Sequence, residues 1–501
     1  MVAAGILASR VAGLVRTMIF SYFFGLRSEA ADAFNAAARI PNLLQNLFGE
    51  GALSGSFIPV HAGLRAQARD AEAAQTARTV FALLMLLMSV LVLAGVLATP
   101  ALLDTIAPGF TGTRRALAIQ LVRILFPAAG LLVAAAWCLG VLNSHGRFLL
   151  SYASGVAWNA GMIGALVLFG PGSSQEHLAV MLAWGSVAGS LLQFAVQAPT
   201  AFSLSSGGGP IALTEPVRRT VRDFLPVLIS RGAVQLSAYI DTFIASYLPV
   251  GAVTGLQNTQ QIYTLPVSLF GISVSAAELP ALSSEAARSE THALRARIDA
   301  AAARLTFFVV PSAVAFAALG DIIAGALLQR GRFGAEDSRI VWGILAGSAV
   351  GLVASTLARL YSVAHYALGD TKTPLRFALV RLAAVTGLGY VCALILPPRL
   401  GIAPLWGAAG LTASAGVSGW IEFALLRASL NGRIGATGVK RSYLARLWIA
   451  GTAAAAAAWV VKLLLPPLDP LIRGAIVLPA FGGVFLGIAR LFGIRMPGLR
   501  R

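Results

Sequence analysis

Arg10 and Arg16 stand inside the first long apolar stretch of the chain, GILASRVAGLVRTMIFSYFF from Gly5 to Phe24. A guanidinium at the centre of a bilayer is opposed by roughly 2.5–3.5 kcal/mol on insertion scales, so arginines kept there usually face a bundle interior or a watery cavity. The chemistry they offer is anion binding, because a planar fork of donors matches phosphate or carboxylate oxygens. Six residues of helix place the two about 9 Å apart along the axis and about 120° apart around it. They fit one wide cleft, not one narrow stripe. The alternative is that each snorkels to an interface, or pairs with a carboxylate such as Asp32, for folding alone.

The elements that must carry these arginines are membrane helices. The 501 residues are 57% hydrophobic and only 12% charged, with a mean hydropathy of +0.79, which describes an all-α polytopic membrane protein. The first segment lacks a basic leader and carries two arginines, so it is expected to stay in the membrane and not to be cleaved as a signal peptide. Cys138 and Cys392 both fall in apolar segments and read as small packing residues. The histidines, at 61, 145, 177, 292 and 365, show no metal-ligand spacing, and no GxxxxGK phosphate loop is present. Catalysis, a bound metal and a cofactor are therefore not expected. The net charge of +18 is spread over short loops without forming a stripe, which argues against nucleic acid as a partner.

Windows of about 20 apolar residues can be placed fourteen times. The second, over 32–63, contains Pro41 and Pro59, and the eighth, over 252–283, contains Pro266, so kinked or re-entrant sections are expected in both. Twenty-two basic residues follow even-numbered windows, against eight after odd-numbered ones. That asymmetry places both termini in the cytoplasm. Eight more lie within windows: Arg10, Arg16, Arg39, Arg123, Arg231, Arg359, Arg381 and Lys462. The stretch from Leu102 to Gly130 resembles that from Asp321 to Gly351, with Phe110 matching Phe333, as in duplicated transporter lobes. The expected organisation is an N-terminal lobe over 1–202, a linker over 203–222 containing the flexible composition SLSSGGGP, a C-terminal lobe over 223–430, and two further helices with a basic tail over 431–501. Each lobe would contain six helices, with substrate bound between the lobes.

From Ser9 the sequence SRVAGLVR, followed by DAFNAAARIPNLLQNLFGEGALSGSFIPV, resembles the amino-terminal signature of the lipid II flippase family, MurJ or MviN, within the superfamily of drug, oligosaccharidyl-lipid and polysaccharide exporters. APGF at 107–110, LNSHGRF at 142–148 and GDTKTP at 369–374 resemble that family in the expected order, so the resemblance covers essentially the whole chain. It implies movement of an undecaprenyl-diphosphate-linked peptidoglycan precursor between leaflets of the bacterial cytoplasmic membrane by alternating access. Membrane lipids and peptidoglycan-synthesis proteins are the other implied partners. Arg10 and Arg16 match arginines of the family's central cavity; Asp32, Arg39 and Glu50 match further site positions.

The chain departs from the family at two of those positions. Gln45 and Gln261 stand where arginines are usual, and Arg231 is a substitute cation. A glutamine still donates a hydrogen bond to phosphate, but the charge is lost. The resemblance also raises a sodium site with acidic ligands on spans seven and eleven. Asp241 would supply the first, but 372–397 contains no Asp, Glu or Asn, so no such site is expected. Three functions stay open: a lipid II flippase, a flippase or exporter of another polyprenyl-linked glycan or amphiphile, and a transport-inactive scaffold for envelope-synthesis enzymes.

Overall fold

The computed structural model describes residues 2–288 and 290–494, which form nineteen α-helices with no strand among them. Contacts divide the chain into two compact units, Met1–Thr254 and Gly255–Arg501. Ten of the described helices or helix pairs are long and apolar enough to cross a membrane, so the fold is that of a multi-pass membrane protein.

The first unit holds α1 (Val2–Phe24), α2 (Glu29–Phe48), α3 (Glu50–Ala66), α4 (Asp70–Leu97), α5 (Thr99–Ile106), α6 (Gly112–Ser144), α7 (Phe148–Ala153), α8 (Gly155–Phe169), α9 (Gln175–Leu204) and α10 (Glu215–Ser246). Its centre is α6, which packs on α2, α3, α4 and α9. Trp137 of α6 is fully buried and donates from Nε1 to the Ala77 carbonyl of α4 at 3.0 Å, and Cys138 lies beside it in the core. Helices in lipid gain little from the hydrophobic effect and rely on close backbone approach. At the α8–α9 contact a Cβ on Gly161 would stand 2.5 Å from Gly189 Cα, which explains the small residue there.

The expected break in the second window falls at Gly49, between α2 and α3, and neither proline makes it: Pro41 and Pro59 both lie inside helices. A proline costs a membrane helix one internal hydrogen bond, which neighbouring groups can re-satisfy. Gly49, at φ −84° and ψ −139°, instead turns the backbone out of the helical region. The segment that composition marks as flexible is laid along α4: Arg78 donates to the carbonyls of Gly208 and Gly209, Gln75 to that of Pro210 at 2.7 Å, and the Ala212 N–H to Thr79 Oγ1 at 3.4 Å.

α11 (Ala252–Pro266) starts in the first unit and continues into the second, where it passes through a π-helical section, Val267–Ile272. Here the break does follow the proline. The second unit continues with α12 (Ser273–Ala287), α13 (Thr291–Leu328), α14 (Ala335–Ala367), α15 (Lys372–Tyr390), α16 (Leu396–Arg399), α17 (Gly407–Ile434), α18 (Arg441–Leu464) and α19 (Pro470–Leu491). Its centre is α14, packed between α13 and α17.

Candidate functional site

α1 packs against α8, and that contact fixes Arg16. Its guanidinium carbon stands 5.2 Å from the centroid of the Trp158 ring, and Nη1 donates to Met162 Sδ at 3.6 Å. Trp158 is itself held by Nε1–H donation to Ser186 Oγ of α9 at 3.1 Å. A cation over an indole face gains about 0.5–2 kcal/mol, and among the described residues no carboxylate pairs with this guanidinium. Arg10, earlier on the same helix, is exposed.

Asp32, in the first turn of α2, is fully buried. Its Oδ2 accepts from the Gly251 N–H at 2.8 Å, and its Oδ1 accepts from Thr254 N at 2.9 Å and Thr254 Oγ1 at 2.7 Å. Arg114 Nη1 approaches Oδ2 at 3.8 Å. Thr254 Oγ1 also accepts from Asn35 Nδ2 at 3.2 Å. The same arginine lies 4.1 Å over the Phe110 ring and donates to the Gly109 carbonyl at 3.1 Å. The APGF motif, the start of α2 and the start of α11 are therefore joined through one carboxylate, whose position is set by backbone and hydroxyl donors.

Arg39, further along α2, is half-buried and interacts electrostatically with Asp241 and Tyr239 of α10, while the Tyr239 hydroxyl donates to the Arg39 carbonyl at 2.8 Å. Gln45 is half-buried near the end of α2. The side chains of Glu50 and Arg231 lie outside the described residues; their backbones start α3 and run within α10. Gln261 is half-buried on α11, in the second unit. Two of the remaining basic residues within spans have carboxylate partners there: Arg381 with Glu422 at 3.1 Å, and Lys462 with Asp321 at 2.6 Å. Arg123 and Arg359 are exposed.

The sequence reading did not single out Arg114, Gly251, Thr254 or Trp158. Arg114 had a signal, since it follows closely on APGF. The others had none, because they meet their partners only through tertiary contact.

Solved structures with the same frame define the class. A lipid II flippase MurJ in an inward closed conformation superposes with a TM-score of 0.81 at 20% identity, covering 98% of each chain. An inward-facing multidrug-resistance MATE transporter superposes at 0.69 with 18% identity, over 85% of this chain and 95% of that one. The shared fold is thus all-helical and multi-pass. The chain belongs to the lipid II flippase MurJ family, whose model matches residues 20–469. It is 33% identical over 442 residues to lipid II flippase MurJ of Burkholderia cenocepacia, with 85% of this chain and 82% of that one covered. With the probable lipid II flippase MurJ of Bdellovibrio bacteriovorus it shares 29% identity over 509 residues, covering 99% and 93%. The all-α fold class and the family resemblance are both borne out, and the family is one of transporters, not enzymes.

Proposed function

We propose that this chain flips lipid II, the polyprenyl-diphosphate-linked peptidoglycan precursor, from the inner to the outer leaflet of the cytoplasmic membrane by alternating access. The observation that carries this reading is the family match over residues 20–469. Arg16 supports it chemically: α1 presents a guanidinium oriented by an aromatic face and a thioether, with no carboxylate paired to it among the described residues, and a diphosphate would supply that counter-charge. Arg10, Arg39, Gln45, Glu50, Arg231 and Gln261 complete the proposed substrate set, and Asp32 anchors the helix starts around it. Fourteen crossings follow from the apolar windows, and the loop charges favour both termini in the cytoplasm. The moving parts are the lobes over 1–202 and 223–430, with 203–222 between them and 431–501 appended, and peptidoglycan-synthesis proteins are proposed as neighbours in the membrane.

The test is growth of bacteria depleted of their own lipid II flippase. The intact chain restores growth, and Arg10→Ala and Arg16→Ala, present at equal membrane levels, do not. Absence of growth from a well-expressed intact chain, or full growth from both variants, overturns the reading. A second reading, another polyprenyl-linked glycan or amphiphile as cargo, is favoured by Gln45 and Gln261. Under the lipid II reading, Gln45→Arg with Gln261→Arg holds or raises complementation; under the second, it does not.

A further inference from the structure

A cavity of about 390 Å³ opens at the ends of α3, α4 and α6 in the first unit, walled by His61, Arg65, Asp70, His145, Ser206 and Gly207. The proposed substrate set does not include it. His61 is 1% exposed, and its Nδ1 has no hydrogen-bond partner among the described residues. The His61 and His145 ring centroids are 5.6 Å apart. His145 Nδ1 lies 2.9 Å from the Val141 carbonyl, which can only accept, so the proton sits on Nδ1 and Nε2 is the titrating atom. Arg65 donates from Nη1 to the Ser144 carbonyl, while its buried Nε has no hydrogen-bond partner among the described residues and lies 3.6 Å from Asp70 Oδ1. α4 begins at Asp70 without a side-chain cap, so its first-turn N–H groups add unmatched donors and a positive dipole end. The far wall is fixed, because Arg78 and Gln75 hold Gly208, Gly209 and Pro210 against α4.

Unmatched buried donors around a polar cavity call for an acceptor. Among the described residues no three His, Cys, Asp or Glu side chains are grouped to hold a metal ion, and Arg65 disfavours a cation. Asp70 is the opposing charge, but its side chain is 74% exposed and free to turn to water. We propose that this cavity binds a phosphate oxyanion, supplied as free phosphate or as a phospholipid headgroup, through Arg65, His61, His145 and the amino terminus of α4. The volume is within the range of small-molecule sites.

The charges facing the imidazoles are Arg65 from α3, Asp70 from α4 and Arg147 beyond α6. Burial holds His145 below the ordinary histidine range; the Val141 bond and Asp70 oppose that, and Arg65 and Arg147 add to it. Protonation of His145 adds positive charge to the cavity, so its contribution favours the anion as pH falls, while phosphate itself gains a proton over the same range.

The full chain in phosphatidylcholine nanodiscs is titrated with inorganic phosphate by calorimetry at about pH 8 and about pH 6. In a second arm without phosphate, its melting is compared in discs with and without phosphatidylglycerol. We expect saturable phosphate binding that weakens about tenfold in Arg65→Gln, and, because phosphate itself gains a proton between the two pH values, a ratio of the two affinities that shifts in His145→Gln toward weaker binding at the lower pH. Stabilisation confined to phosphatidylglycerol discs and lost in Arg65→Gln identifies a headgroup as the ligand and sustains the site. No response in either arm overturns it, as does a response unchanged in folded Arg65→Gln. If Arg65→Gln fails to fold, an unaltered pH dependence in His145→Gln overturns it instead. These readouts are independent of flipping.

Discussion

Helices α6 and α14 are each 33 residues long, and each follows a turn closed by a buried phenylalanine. Phe110 N donates to the Ala107 carbonyl and Phe333 N to the Arg330 carbonyl, both at 3.1 Å. Both helices end alike: Gly146 and Gly369 take φ of +71° and +74°, and the next N–H reaches back to Leu142 or His365 at 2.9 Å. This is the glycine-terminated helix end in which a left-handed residue returns the chain to the last free carbonyls. The backbone frame is therefore repeated in the two units.

The side chains at those ends are not repeated. At the start of α6, Arg114 covers Phe110 and approaches the buried Asp32; at the start of α14, an exposed cap bond joins Gly334 N to Asp337 Oδ2 at 3.0 Å. Beyond α6 the chain continues with Arg147, next to a cavity lined by imidazoles. Beyond α14 it continues with Asp370, which accepts from Lys372 N and Thr373 N at 3.1 and 3.0 Å and pairs with Arg433. The contrast teaches that backbone hydrogen bonds and one buried ring suffice to preserve a helix end, leaving the polar groups around it free to diverge.

Truncating the shared feature gives the largest effect. Phe110→Ala and Phe333→Ala are expected to destabilise the protein by similar amounts, roughly 3–5 kcal/mol each, in thermal or denaturant unfolding in detergent. A large inequality would break the equivalence of the two turns. Next in size is the acid that meets the start of each helix, Asp32 of α2 facing Arg114 at the start of α6 and Asp337 in the first turn of α14. Asp32→Ala strands three donors and is expected to cost on the order of 3 kcal/mol, whereas Asp337→Ala loses one exposed cap bond, about 1 kcal/mol or less; the same melts distinguish them.

The smallest effect is a pH dependence at the end of α14. Hydrogen bonds from Thr373, aided by the Arg433 guanidinium, hold the Asp370 carboxyl well below the usual range, against the opposing effect of burial. A depressed carboxyl stabilises the fold fully above its unfolded value of about 3.9 and loses that contribution as pH falls below it toward the folded value. Melting from pH 7 down to about pH 3 should fall less steeply in Asp370→Asn than in the parent chain, and an identical slope would remove Asp370 as the clamp.

Much of this was legible in the sequence. The duplicated stretch paired Phe110 with Phe333, and the two turns coincide. Charge within an apolar segment marked Arg16, and the structure gives it a defined orientation. Pro266 marked a break correctly because it ends α11 at a π-helical section, whereas Pro41 and Pro59 misled because a membrane helix absorbs a missing N–H more easily than composition suggests. The glycine-rich run after α9 read as flexible, yet its carbonyls are bonded to α4. Such bonds use backbone atoms, which every residue carries, so no residue type announces them.

The sequence by itself determined that this chain is a multi-pass helical membrane protein, which family it belongs to and which cations lie within its apolar spans. These follow from local hydropathy and motifs, both set by neighbours along the chain. Only the tertiary structure decided what those charges touch. Asp32 meets Gly251 and Thr254 across more than two hundred residues, and Arg16 meets Trp158 on another helix. Whether a buried charge is anchored by peptide donors or left open to a ligand depends on which helices pack together, and that packing is a property of the whole fold.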